Sequence, residues 1–386
     1  MIRDFLNTKP LFYTKFDPNR IIKAYQLIKD KIKHPKRVHI IGTNGKGSTG
    51  RALAFLAYKS GLNVAHFTSP HIFDFTERFW INNSFASIDS LNRAHEKLIK
   101  MLGSKVAVSL SYFEYQTLLA FVLFEDVDLQ VIEAGLGGEY DATSVVDYNL
   151  TIFTSIGLDH SDFLGNSLKE VATSKLKAMS SINLIAKQKD EVIEIAKEIA
   201  KKRGAKVYLF DDLIDSINLE QLQNIAKKKA FADYLVQNIA LSLMGLDILG
   251  IKYDINNLNN LKLFGRFYKL MPNVTIDVGH NSLAAKAIYN TLTSKVDLIF
   301  NILSDKDAKE VLTILKPKIN RLHIIKLDNK RATKLETLTK ILEELKIDYD
   351  FFDGNLDKNR NYLVFGSFYV VEKFLKMVGV DSIETE

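Results

Sequence analysis

The sequence predicts an α/β fold in two unequal units, each a mostly parallel sheet covered by helices. Short apolar runs of strand length alternate with helix-length amphipathic segments along the chain, the order that builds parallel sheets with helical crossovers. The pattern changes over residues 261–271 and then restarts, which marks a second α/β unit. The length, 386 residues, also exceeds what one compact core usually encloses.

In the first unit, residues 38–41, 64–67, 129–132 and 151–155 read as successive strands, each a short apolar or β-branched run. Between them, apolar spacing predicts helices over 46–59, 89–102 and 115–124. A later helix over 190–203 carries Val192, Ile193, Ile195, Ala196, Ile199 and Ala200 and stops before Gly204, where a left-handed cap suits glycine. In the second unit, strands are expected at 274–277, 298–302, 322–325 and 362–365, with helices between. The division falls near Gly265, so the units are residues 1–264 and 265–386.

Hydrophobic residues make up 47% of the chain and charged residues 25%, the balance of a globular protein rather than a disordered or fibrous one. The apolar stretch 118–124 is far too short to cross a bilayer, and the start, with Arg3, Asp4 and Lys9, lacks a signal-peptide core. A cytoplasmic protein without a membrane partner is therefore expected. The absence of cysteine excludes a disulfide framework, a thiolate metal site and a cysteine nucleophile, so any metal must be held by oxygen and nitrogen. The net charge of +6 is spread over single lysines and short clusters such as Lys227, Lys228 and Lys229. No stripe interleaves basic and aromatic residues, so nucleic acid is not an expected partner, whereas an anionic small substrate suits mild basicity.

The strongest local signal is the run Gly42-Thr43-Asn44-Gly45-Lys46-Gly47-Ser48-Thr49, set between a β-branched strand and an Ala/Leu-rich helix. Glycines let backbone N–H groups turn inward around phosphate oxygens, the helix N-terminus adds a favourable dipole, and Lys46 reaches the outer phosphates. Ser48 or Thr49 offers a hydroxyl to phosphate or magnesium. Ile40 stands where the strict P-loop pattern has its first glycine, so only the Gly-Lys-x-Ser half of that pattern fits.

Ligands in open α/β sheets sit beyond the C-terminal strand ends, and three polar residues fall there. Ser69 follows the strand 64–67, Glu133 ends the run 129–132, and His160 follows 151–155 in Gly157-Leu158-Asp159-His160. Singly, each has a bland reading: a turn residue before Pro70, a solvated strand end, a neighbour of a helix cap. On one edge with a phosphate loop, a hydroxyl, a carboxylate and an imidazole make a magnesium site, with manganese the alternative because imidazole is a less usual magnesium ligand.

At this point the residues match a known family. The motifs are Gly42-Thr-Asn-Gly-Lys-Gly-Ser48, Thr68-Ser-Pro-His71 with Thr76-Glu77-Arg78, Tyr112-Phe113-Glu114, Glu133-Ala-Gly-Leu-Gly-Gly138 with Asp141-Ala-Thr143, and Gly157-Leu-Asp-His160. Then come Phe264-Gly265-Arg266-Phe267, Asp277-Val-Gly-His-Asn281, Ser304-Asp-Lys-Asp307 and Val364-Phe-Gly-Ser-Phe368. In these motifs, and nearly end to end, the chain resembles the folylpolyglutamate synthase/dihydrofolate synthase family within the Mur ligase superfamily.

The resemblance implies an N-terminal P-loop-type ATPase domain with a mostly parallel sheet, residues 1–264, of the Mur ligase central type. A smaller Rossmann-like α/β glutamate-ligase domain, residues 265–386, would follow. It implies ATP phosphates on Thr43, Asn44, Gly45, Lys46, Gly47 and Ser48, with Asn238, Arg266, Asp277 and His280 contacting the nucleotide from the other side. Magnesium would be held by Ser69, Glu133 and His160. Lys175, fifteen residues after His160, stands where the family has a lysine carbamylated by CO2. Ser111, Tyr112, Phe113 and Glu114, with Tyr140, Asp141 and Ala142, lie where bifunctional members bind dihydropteroate.

The implied chemistry is ATP-driven amide formation between a pterin or folate carboxylate and L-glutamate, through an acyl phosphate. Lys46, Glu133, His160 and Lys175 would form the catalytic set, acting by positioning and charge rather than covalent attack. Dihydropteroate and reduced folates are the expected acceptors, and a monomer is the expected state.

This sequence departs from the family pattern in three places. Ser174-Lys175-Leu176-Lys177-Ala178 replaces Glu-Lys-Ala-Gly-Ile, Glu139-Tyr140 replaces arginine-leucine, and Tyr234-Leu235 replaces a His-Gln pair before Asn238. Two other readings stay open. A Mur-type ligase acting on a UDP-linked cell-wall precursor would share the main motifs, although it usually carries a further N-terminal domain for which Gly42 leaves no room. A nucleic-acid-dependent NTPase would need an acidic pair at the metal strand, where Ala134 and Gly135 follow Glu133. The motifs do not decide between dihydrofolate synthase, folylpolyglutamate synthase and both, although Tyr112-Phe113-Glu114, a segment that bifunctional members share, leans towards both.

Overall fold

The computed structural model describes residues 1–10, 17–159 and 161–383. Its larger sheet has eight strands, in the spatial order β4 (Ser84–Phe85), β3 (Phe79–Ile81), β2 (Val64–Phe67), β5 (Leu129–Glu133), β1 (Lys36–Ile41), β6 (Leu150–Phe153), β7 (Ile182–Ile185) and β8 (Lys206–Leu209). From β2 to β8 neighbouring strands run parallel. The middle strands are buried on both faces and therefore read as continuous apolar runs rather than alternating ones. Because β1, β2, β5 and β6 point the same way, Gly42, Thr68, Glu133 and Thr154 all emerge at one edge.

Helix Lys46–Lys59 leaves that edge from the glycine turn after β1 and packs against helix Asp233–Ile248, burying Ala52, Leu53, Phe55 and Leu56 with Leu235, Ile239 and Leu243. On the other face, helices Ile88–Leu102 and Tyr112–Leu123 cover β2 and β5. The smaller sheet has six strands in the order β13 (Tyr349–Phe351), β12 (Ile319–Ile324), β11 (Val296–Phe300), β14 (Tyr362–Phe365), β10 (Val274–Asp277) and β9 (Tyr268–Met271), with only β9 antiparallel. Two apolar cores, one on each face, hold it. Tyr234 and Phe267 pack against the cores of both sheets.

The α/β architecture with two parallel-rich sheets is the one the sequence predicts, and the differences have local causes. The strand expected at 151–155 ends at Phe153 because Ser155 turns away to accept the amides of Thr43 and Asn44. The helix expected from 115 begins at Tyr112, since Ser111 and Glu114 form a capping box. The β3–β4 hairpin is not foreseen, although Asn82 and Asn83, at φ 46° and 75°, supply the two left-handed residues its tight turn requires. Among the described residues no helix is long and apolar enough to cross a membrane.

Candidate active site

The glycine turn is held from below by β6. Thr43 N and Asn44 N donate to Ser155 O at 2.8 and 3.3 Å, and the Thr43 hydroxyl both donates to Gly157 O and accepts from Gly157 N. Gly45, at φ +90°, leaves no room for a side chain: a Cβ there would lie 2.6 Å from Asn238 Oδ1. Asn238 in turn donates to Ser48 Oγ at 2.9 Å, tying helix Asp233–Ile248 to the loop. Lys46 Nζ reaches the carbonyls of Gly42 and Thr43 at 3.1 and 3.3 Å, so its charge lies across the loop mouth at the N-terminus of its own helix.

Glu133 is 3% exposed and accepts the Thr68 hydroxyl and, at 3.4 Å, Ser69 N. Burial pushes its carboxyl pKa up, against the charge of Lys46, the Thr68 hydrogen bond and the charge of Arg266. A Cβ on Gly47 would come within 3.3 Å of Arg266 NH2, 3.5 Å of Glu133 Oε2 and 3.6 Å of Thr68 Oγ1. The loop helix, the strand-end carboxylate and the arginine leading into the second sheet therefore meet around one cradle that glycine keeps open. Among the described residues no three carboxylates or imidazoles cluster to hold a metal by themselves. One buried carboxylate with Ser69 and Ser48 hydroxyls beside a phosphate site is nevertheless a set that suits magnesium, which keeps waters and substrate phosphates as its other ligands. His160, the third predicted ligand, lies outside the described residues.

Lys175 is 2% exposed and donates to Gly42 O at 3.2 Å and to Leu136 O, linking the phosphate loop to the glycine turn after β5. Burial, helped by the Lys46 charge, brings its pKa down to about 7. Lys177 faces outward and pairs with Glu139 at 3.3 Å, so Lys175 is the lysine of this segment that enters the site.

From the second sheet, Arg266 stacks over Phe368 at 5.1 Å. Asp277, at the end of β10, accepts Gly279 N at 2.7 Å, Phe267 N at 2.8 Å and the Tyr234 hydroxyl at 2.5 Å. Burial raises its carboxyl pKa, opposed by those three bonds and by Arg266. His280, held neutral chiefly by burial, bonds Val278 O at 3.0 Å and has Nε2 3.8 Å from Asp159 Oδ2. Asp159 also accepts Lys306 at 2.5 Å and Asn281 at 3.0 Å, while the amides of Asn281 and Asn44 pair side by side.

The segments predicted to bind the pterin divide by use. Ser111 and Glu114 cap their own helix, and Glu114 also takes a two-pronged bond from Arg20 at 3.0–3.2 Å. Asp141 fastens the turn after β5, one oxygen accepting Leu136 N and Gly137 N, the other Thr143. Ala142 is buried, while Tyr140 is 58% exposed. Phe113 covers Gly135 and stacks on Phe67 at 5.8 Å, and Tyr112 lies beneath the Arg78 guanidinium at 5.2 Å. Thr68, Asp159, Tyr234 and Lys306 are functional-site neighbours that sequence reasoning misses. Thr68, Asp159 and Lys306 do stand inside recognisable motifs, but with no role assigned.

A phosphate loop, a buried strand-end carboxylate and a second α/β unit closing over both define a two-part nucleotide-binding enzyme. Residues 40–267 match the family described as Mur ligase middle domain. The chain is 30% identical over 372 residues to the dihydrofolate synthase/folylpolyglutamate synthase of Buchnera aphidicola subsp. Schizaphis graminum, with 87% of this chain and 86% of that protein covered. The crystal structure of Helicobacter pylori folylpolyglutamate synthetase is 39% identical, with a TM-score of 0.78 over 98% of this chain and 97% of that one. The bifunctional folylpolyglutamate synthase/dihydrofolate synthase of Yersinia pestis, complexed with AMPPNP and Mn ion, shares the fold at 24% identity, TM-score 0.81, over 98% and 97% of the two chains. The chain belongs to the dihydrofolate synthase/folylpolyglutamate synthase family.

Proposed function

We propose that this ATP-dependent ligase, which adds L-glutamate to a pterin or folate carboxylate, works through the cradle at Gly47, with both dihydropteroate and reduced folates as acceptors. The observation that carries the reading is the meeting of Lys46, Glu133 and Arg266 around that glycine. Thr43 to Ser48 take the ATP phosphates, and Asn238, Arg266, Asp277 and His280 hold the nucleotide from the other side. Ser69 and Glu133 hold magnesium or manganese, which neutralises phosphate charge when bound; the manganese in the Yersinia pestis relative supports that choice.

The acceptor carboxylate attacks the γ-phosphorus and expels ADP, and the glutamate amine, giving up a proton, then displaces phosphate from the acyl phosphate. Lys46 and Arg266 neutralise the charge that builds at both steps. Buried Lys175, its pKa about 7, has a neutral amine fraction that can take up CO2; the resulting carbamate would face Lys46. Tyr112, Phe113 and Tyr140 offer the surface for the pterin, with Ser111, Glu114, Asp141 and Ala142 shaping it. Residues 1–264 act as the ATP-binding domain and 265–386 as the glutamate-ligase domain, in a cytoplasmic monomer.

Phosphate release with ATP, magnesium and glutamate tests the reading, with dihydropteroate, tetrahydrofolate and a UDP-muramyl precursor compared as acceptors. Release with the first two is expected, and Lys46→Ala should abolish it; release with neither overturns the reading.

A further inference from the structure

Arg78 closes the short turn Phe75–Arg78, and its carbonyl accepts Thr68 N at 3.0 Å, so it stands beside the strand end that presents Thr68 to Glu133. It is only 8% exposed, yet no described carboxylate pairs with it. Nε donates to His71 Nδ1 at 2.9 Å and NH1 to Gln116 Oε1 at 2.9 Å. Both acceptors are neutral, since burial and then the Arg78 charge bring His71 down to about 4. The NH2 nitrogen makes no hydrogen bond among the described residues, and on the glutamine that NH1 bonds, the buried Nε2 has the Tyr112 hydroxyl as its polar neighbour but no well-formed hydrogen bond. Desolvating a guanidinium costs more than neutral acceptors return, and a poorly bonded amide N–H adds to that cost.

Arg37 provides an internal comparison. It too is buried, at 5% exposure, and donates to a glutamine, Gln130, and a histidine, His34. Arg37 NH1 likewise makes no hydrogen bond among the described residues, but the glutamine Nε2 there is satisfied by Phe124 O at 2.9 Å, and the arginine sits at the opposite edge of the sheet, on β1 where it starts. The Arg78 set is incomplete, and it faces the site. Glu133 and Tyr369, the latter on helix Phe368–Met377 of the second unit, lie within its field, and the Tyr112 ring lies beneath it.

We propose that Arg78 NH2, together with Gln116 Nε2, receives the carboxylate of the acceptor that is to be activated; this rests on the function proposed above. A planar guanidinium edge beside a second N–H donor matches a carboxylate. The ATP phosphates already have Lys46 and a helix N-terminus, and the aromatic neighbour Tyr112 suits the ring that carries the acceptor's carboxylate.

The test is equilibrium binding by calorimetry to the full chain with AMPPNP and magnesium present, using dihydropteroate and its analogue lacking the carboxylate. The wild type should prefer dihydropteroate by about 10- to 100-fold. Arg78→Gln should remove that preference, Arg78→Lys should keep part of it, and Arg37→Gln should leave it intact, with AMPPNP affinity unchanged in all. Preference surviving in Arg78→Gln, or AMPPNP and dihydropteroate weakening together, overturns the assignment. Should Arg78→Gln fail to fold, Arg78→Lys decides, an undiminished preference counting against the proposal. A wild type that binds neither compound overturns the proposed function itself, and the role of Arg78 with it.

Discussion

Tyr234 donates its hydroxyl to Asp277 Oδ2 at 2.5 Å, joining a helix of the first unit to a strand end of the second. The same oxygen accepts Phe267 N, and Phe267 sits in the left-handed region at φ 43°, so one carboxylate holds the helix and the strained residue between the sheets. Tyr234→Phe removes a hydrogen bond to a buried charged group and should cost about 1.5–3 kcal/mol in denaturant unfolding at pH 8. The sign of its pH dependence follows from Asp277. Burial raises that carboxyl's pKa and the Tyr234 bond lowers it, so the variant ionises at higher pH than the wild type. The loss should therefore be full above the carboxyl's folded pKa and shrink on acidification through it. Nucleotide affinity, measured alongside, should fall severalfold because Asp277 loses its orientation.

Lys175 should make stability rise with pH. Its pKa is lowered from 10.5 to about 7, chiefly by burial, so between those values the unfolded chain binds more protons than the folded one and alkalinisation favours folding. Lys175→Met removes the titrating group. The wild type's urea midpoint should then rise relative to the variant's from pH 7 to pH 9, whereas an offset independent of pH would assign Lys175 no buried titration. Lys175→Ala should also lose phosphate release, and short carboxylates should restore part of it if the lysine is carbamylated.

Legibility in the sequence followed distance along the chain. The glycine loop, its helix and strands 64–67 and 274–277 are readable because their causes are local: glycines at fixed offsets, β-branched runs, an Ala/Leu-rich helix without proline. Asp141 and Glu114 show the limit of that reading. Both stand in segments assigned to ligand, yet their oxygens fasten backbone amides two to five residues away, a use that the Ser111-x-x-Glu114 capping pattern already signals. What no local pattern carries is the pairing of Tyr234 with Asp277 or of Lys306 with Asp159, because these join residues far apart in sequence through the packing of one sheet against another.

Gly47 carries the most direct test of the cradle. It lies within a helix and needs no unusual backbone, and an added Cβ would sit at ordinary or slightly tight distances from Arg266, Glu133 and Thr68. Gly47→Ala should therefore leave the thermal midpoint within a few degrees, since alanine favours a helix. It should lower phosphate release by at least about tenfold by closing the space where phosphate and metal meet. Equal loss of stability and activity would mean that the glycine serves packing rather than the site.

Lys306 and Asp159 make the corresponding test of closure between the units. Both side chains are buried, their contact is 2.5 Å, and Asp159 also accepts Asn281, whose amide pairs with Asn44 of the phosphate loop. Removing one member of a buried pair strands the other charge, so Lys306→Met should cost about 3 kcal/mol, while Asp159→Asn with Lys306→Met together should cost less than the sum of the two singles. Because the pair spans the two sheets, the single variant should loosen their coupling first. Calorimetry is then expected to resolve one unfolding transition into two, with AMPPNP and magnesium drawing them back together. A single transition displaced to lower temperature would place the pair inside one cooperative unit and remove its role in closure.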